Sequence, residues 1–103
     1  MLPIVEQKRA ELAELCRRYG VRQLDLFGSA TRPERFDAGR SDLDFLVQFA
    51  ETEAMNPADQ YFGLLEDLQR LFGREVDLVS ARGLRNPYFI KSIHATREPL
   101  YAA

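Results

Sequence analysis

Asp42 and Asp44 stand one residue apart in the run Asp42-Leu43-Asp44-Phe45-Leu46-Val47, and a twelve-residue spacer separates them from the pair Gly28-Ser29. In a strand successive side chains alternate faces and each residue rises about 3.3 Å. Both carboxylates therefore leave one face, about 6.6 Å apart along the backbone. Leu43, Phe45, Val47 and Phe49 fall on the other face. Neighbouring carboxylates repel unless something positive lies between them, and a divalent cation held by carboxylate oxygens is the usual resolution. Gly28-Ser29, at the end of the apolar stretch Leu26-Phe27, has the composition of a turn that cradles phosphate. A further aspartate, Asp77, lies in Glu75-Val76-Asp77-Leu78-Val79, where it shares a strand face with Glu75 and Val79. Taken singly, a Gly-Ser is a turn, Asp-x-Asp is the wet face of a half-buried strand, and a lone aspartate is a surface carboxylate. Taken together they are what a two-metal nucleotidyl transfer site requires.

The elements that must position these groups follow from periodicity. Pro3 to Tyr19 is predicted as a first helix, with proline suited to its first turn, Gly20 to its C-terminal cap, and Ile4, Ala10, Leu12, Leu15 and Cys16 on its apolar face. Val21 to Phe27 reads as a strand, in which Leu24 and Leu26 alternate with Gln23 and Asp25. A short helical turn is expected within Ser29 to Arg35, and a turn at Asp37 to Ser41, before the second strand from Asp42 to Phe49. Asn56 as N-cap and Pro57 in the first turn open a helix whose apolar residues Tyr61, Leu64, Leu65, Leu68, Leu71 and Phe72 recur at helical spacing until Gly73. Glu75 to Val79 is the third strand. A short helix from Asn86-Pro87 to about Ala95 precedes a terminal strand near Leu100 and Tyr101. The order predicts an α/β (α+β) fold, a small mixed sheet flanked by helices.

At 103 residues the chain has the length of one domain, 1–103, with room for a single core. Its 14 basic and 16 acidic residues give a net charge of -2, which leaves no overall basic footprint for a nucleic-acid backbone or an anionic membrane. Between Thr31 and Arg40, Arg32, Arg35 and Arg40 outweigh Glu34 and Asp37, an excess that suits either a phosphate or a solvated loop. Cys16 has no partner for an internal disulfide, and the apolar start Met1 to Val5 is too short for a signal peptide or a membrane span. A cytoplasmic protein is expected. His94, a lone histidine on a helix, reads as structural or solvated.

Phe27-Gly28-Ser29-Ala30, then Ser41-Asp42-Leu43-Asp44-Phe45-Leu46-Val47, resembles the signature of the minimal nucleotidyltransferases of the DNA polymerase β superfamily. Val76-Asp77-Leu78-Val79 is similar to that family's third-carboxylate strand. The ending from Asn86-Pro87-Tyr88 to Pro99-Leu100-Tyr101-Ala102-Ala103 is similar to the tail of bacterial members. The spacer is longer than the family's usual one, which leaves the roles of Arg32, Arg35 and Arg40 open. The resemblance implies a polymerase β palm-like fold and a magnesium-dependent enzyme using ATP. In it Gly28 and Ser29 hold the β- and γ-phosphates, and Asp42 and Asp44 ligate two Mg2+ ions. Asp77 completes the second metal site or helps to take the proton. Strand register decides whether Asp77 or Glu75 is that third carboxylate.

The resemblance also implies an acceptor. A chain this short is expected to carry no second domain for one, and minimal nucleotidyltransferases are commonly paired with a small helical HEPN ribonuclease toxin. They act as its antitoxin by transferring AMP to a tyrosine near its active site. Two other readings stand beside this one. The chain can neutralise its partner by binding alone, through aromatics such as Tyr61, Tyr88, Phe89 and Tyr101. Alternatively it transfers the nucleotide to a small molecule at a site shared between subunits of a homo-oligomer. Three carboxylates favour the enzyme, since a pure binder has no use for them.

Overall fold

The computed structural model describes residues 2–31 and 42–103; the predicted turn at Asp37 to Ser41 and the arginines Arg32, Arg35 and Arg40 lie outside the described residues. Two short helices, α1 (Pro3–Glu6) and α2 (Arg9–Arg18), precede strand β1 (Val21–Phe27) and a 3-10 turn at Gly28–Thr31. Strand β2 (Leu43–Phe49), helix α3 (Pro57–Phe72), strand β3 (Val76–Ser80) and a 3-10 turn at Ala81–Gly83 follow. Helix α4 (Pro87–Thr96) and strand β4 (Glu98–Ala102) complete the chain.

The single helix predicted over Pro3 to Tyr19 is in fact two. A continuous apolar stripe running on from Val5 needs an apolar side chain at position 8 or 9, and the sequence has Lys8 and Arg9 there. No apolar side chain carries the stripe across that turn, and the helix breaks at Gln7 and Lys8. Leu2 and Val5 are buried on one side of the break, and Leu12, Leu15 and Cys16 on the other. Ala10, expected on the apolar face, is exposed. The caps of α3 are those the sequence predicts. Asp59 N-H donates to Asn56 Oδ1 at 2.9 Å, and Gly73, at φ +62°, donates its N-H to Gln69 O at 2.8 Å. Asn86 caps α4 in the same way, its Oδ1 accepting from Tyr88 N-H at 2.9 Å.

The sheet is mixed, in the order β3-β2-β1-β4, with β2 and β3 parallel across the α3 crossover and the other pairs antiparallel. Pro99 is accommodated because β4 is an edge strand. Leu24 and Leu26 of β1, Leu43, Phe45 and Val47 of β2, and Val76 and Leu78 of β3 point to one face. There they bury against α2 and α3 in the main core. The alternate residues face the other way, where Phe27, Leu46 and Ile93 of α4 form a second, smaller cluster with Val79, Ala81 and Leu84. Part of the second face is thus covered too, which accounts for a finding the alternation of β1 did not predict. Asp25, on the second face of a central strand, is almost fully buried. Gln23 Nε2 donates to both of its carboxylate oxygens, at 3.2 and 3.1 Å, and Arg97 Nε stands 3.7 Å from Oδ2.

Candidate active site

The sheet register brings three positions into one row across the second face: Phe27 pairs with Asp44, and Asp44 pairs with Asp77. This row lies at the C-terminal end of β1 and the N-terminal ends of β2 and β3, so strand ends and the turn after β1 frame it. Asp42, one residue before β2, is exposed. Asp44 is half-buried, and burial raises its pKa to about 6, with repulsion from Asp77 and then Asp42 pushing the same way. The electrostatic partner on the third strand is therefore Asp77. Glu75 precedes β3, is exposed, and is not among the groups that perturb Asp44. Tyr61 of α3 donates its hydroxyl to Leu78 O at 2.5 Å, and burial followed by the charge of Asp77 raises its pKa.

Gly28 is required on two counts. Its φ of +74° lies in the left-handed region, and a Cβ built on it would stand 2.6 Å from Asp44 Oδ2. The glycine thus leaves room for the Asp44 carboxylate and whatever that carboxylate binds. Thr31 Oγ1 donates to Gly28 O at 2.7 Å and closes the 3-10 turn, whereas Gly28 N-H donates to Thr96 Oγ1 at 3.0 Å. The glycine N-H is therefore engaged by α4. The backbone of Ser29 lies in this turn, and its side chain is outside the described residues.

Among the described residues, no three His, Cys, Asp or Glu side chains converge closely enough to hold a metal ion as they stand. The donor set nevertheless fits a hard cation. It is all carboxylate oxygen, Asp44 is under like-charge pressure from both neighbours, and the missing Cβ of Gly28 keeps space open beside Oδ2. An open cleft of about 1340 Å3 lies at the other end of β2, lined by residues that include Phe49, Met55, Gln60 and Tyr61. It does not touch the carboxylates, and the chemistry of the side chains decides between the two places.

Of the residues singled out in the sequence, Gly28, Asp42, Asp44 and Asp77 come together here. Thr96, whose Oγ1 accepts the Gly28 N-H, was not singled out in the sequence. A threonine at a helix end carries no periodic signal.

A mixed sheet whose strand ends present carboxylates beside a glycine turn is the frame of a nucleotidyl-transfer domain. The chain belongs to the family described as Polymerase beta, Nucleotidyltransferase, which matches residues 10–103, and it is a nucleotidyltransferase. Within that family it is a minimal nucleotidyltransferase. It is 37% identical over 76 residues to a proposed protein adenylyltransferase of Methanocaldococcus jannaschii, covering 74% of this chain and 73% of that protein. It is 38% identical over 77 residues to the protein adenylyltransferase MntA of Thermococcus cleftensis, covering 75% and 73%. The solved structure of a proposed minimal nucleotidyltransferase superposes with a TM-score of 0.75 at 32% identity, over 93% of this chain and 92% of that one. The MNT antitoxin in complex with the tri-AMPylated HEPN toxin of Shewanella oneidensis shares the fold, with a TM-score of 0.66 at 19% identity, over 96% of this chain and 73% of that one. Among the described residues, no helix is long and apolar enough to cross a membrane.

Proposed function

We propose that this chain, acting as one minimal nucleotidyltransferase domain, transfers AMP from ATP to a side-chain hydroxyl of a HEPN-type toxin and so neutralises it. The observation that carries the reading is the Asp44 carboxylate, pressed by Asp42 and Asp77 and given room by Gly28. The names of the relatives, protein adenylyltransferases, and the AMPylated toxin bound to a neighbour of the same fold support the acceptor.

In this reading Asp42 and Asp44 hold Mg2+, with Asp77 as the third carboxylate in preference to Glu75. When bound, the metal neutralises triphosphate charge and makes a hydroxyl a better nucleophile at neutral pH. The protein's own part is alignment. The turn at Gly28-Ser29 holds the β- and γ-phosphates, and the row of aspartates orients the acceptor oxygen in line with the α-phosphorus. That oxygen forms a bond to the α-phosphorus as the bond to the bridging oxygen of pyrophosphate breaks, and the hydroxyl proton passes to a carboxylate, for which Asp77 is suited. Holding these charges in fixed positions supplies most of the rate.

The test is label transfer. With ATP labelled at the α-phosphate, a HEPN-type toxin supplied as acceptor becomes labelled. With γ-labelled ATP it does not, and EDTA abolishes labelling. Labelling from the γ-position would make the chain a kinase. A stable complex without labelling would leave neutralisation by binding alone.

A further inference from the structure

Helix α4 holds the end of β1 at three points. Near its start the Phe89 ring meets Phe27 edge-on, with centroids 6.1 Å apart. Just past its end Arg97 Nε stands 3.7 Å from the buried Asp25 Oδ2. Between them, Thr96 Oγ1 accepts the Gly28 N-H at 3.0 Å while its own hydroxyl donates to Ser92 O at 3.2 Å, one turn back in the helix. A hydroxyl has one proton to give. With Ser92 taking it, the oxygen presents a lone pair to Gly28, and the bond has a defined direction. Gly28 has no side chain with which to fix its own peptide plane, and at φ +74° its backbone is in a region where glycine moves freely. Within the turn Thr31 Oγ1 holds the Gly28 carbonyl, and from outside it the Thr96 oxygen is what the Gly28 N-H is fastened to.

Resting on the nucleotide reading above, we infer that Thr96 is a positioning residue for the triphosphate. By engaging the Gly28 N-H it fixes the peptide that leads into the 3-10 turn, and the N-H groups after Gly28 are thereby aimed at the phosphates. Gly28 itself then contributes space and backbone conformation, and not a phosphate hydrogen bond. The effect acts on binding of the nucleotide and leaves the aspartates, which act on the α-phosphorus, untouched.

Thr96→Val removes the oxygen at nearly constant shape, and Thr96→Ser keeps it. The readouts are the Kd of Mg2+-ATP by calorimetry, KM and kcat of AMP transfer, and thermal unfolding. One orienting hydrogen bond corresponds to a change of roughly 3- to 10-fold. Thr96→Val is expected to raise both the Kd and the KM for ATP by that factor, with kcat within about 2-fold of the unaltered protein, and Thr96→Ser to restore both constants. If Thr96→Val lowers the unfolding temperature and the active fraction but leaves Kd and KM unchanged, the residue is merely structural and the inference fails. It also fails if Thr96→Ser is as impaired as Thr96→Val, because the methyl group and not the oxygen would then matter. An unaltered protein that binds ATP but modifies no acceptor would refute the proposed transfer, while the Kd series would still decide the role of Thr96. An unaltered protein that binds no nucleotide would overturn both.

Discussion

Replacing Asp44 by asparagine is expected to make the metal-free protein more stable while destroying its activity. The Asp44 carboxyl is raised from 3.8 to about 6, by burial first and then by the charges of Asp77 and Asp42. At about 1.4 kcal/mol per pKa unit the ceiling on the cost of ionising it in the folded state is about 3 kcal/mol. Asp44 is only half-buried, so solvent screening reduces this to on the order of 1 to 2 kcal/mol. The sign follows from linkage. A carboxyl whose folded pKa lies above its unfolded value favours the fold while protonated, below about pH 4. That contribution is lost as pH rises through about 6. In EDTA at pH 7.5, Asp44→Asn should therefore unfold roughly 5 to 15 °C above the unaltered protein, and the gap should close towards pH 4. Thermal unfolding by circular dichroism across pH 4 to 8 measures this directly. A variant no more stable at pH 7.5, or a gap independent of pH, would refute the electrostatic account of the carboxylate row.

Other perturbations separate the site from the scaffold. Gly28→Ala should cost only about 1 kcal/mol of stability, from the left-handed backbone, yet reduce transfer at least tenfold, because its Cβ would displace the Asp44 carboxylate from a position 2.6 Å away. Chemical denaturation and initial rates together check it, and equal losses in both would contradict the assignment. Leu68→Ala, at a fully buried position of α3, should cost about 2 to 5 kcal/mol in urea unfolding with KM unchanged for the fraction that folds. Burial pushes the Cys16 thiol up to about 12, so it should resist alkylation at pH 8 until denaturant is added. Rapid native labelling followed by mass spectrometry would contradict its burial.

Much of the fold was legible because its signals are local. Asn56-Pro57 and Gly73 bound α3, Asn86-Pro87 opens α4, and the alternation of Leu24 with Leu26 and of Leu43 with Phe45 marks the core faces of β1 and β2. Strand alternation puts Asp44 on the face opposite Leu43 and Phe45, whereas its pairing with Asp77 comes from the register of β2 with β3. The break at Gln7 and Lys8 was missed because Pro3 and the leucines around it satisfy a helix on either side. Sheet order is a matter of pairing between distant segments. The place of β1 between β2 and β4 is not encoded within any window of the sequence, and that place is what buries Asp25. Thr96 is 68 residues from Gly28, and only the packed structure brings a hydroxyl at a helix end to a glycine at a strand end.

The central claim is that these carboxylates move AMP onto a protein. Intact-protein mass spectrometry of a HEPN-type toxin, after incubation with this chain, ATP and Mg2+, tests it most directly, beside an Asp42→Asn, Asp44→Asn control. The account predicts a gain of one or more AMP units that the control lacks. An unchanged mass in both samples, or the same gain in both, would contradict it.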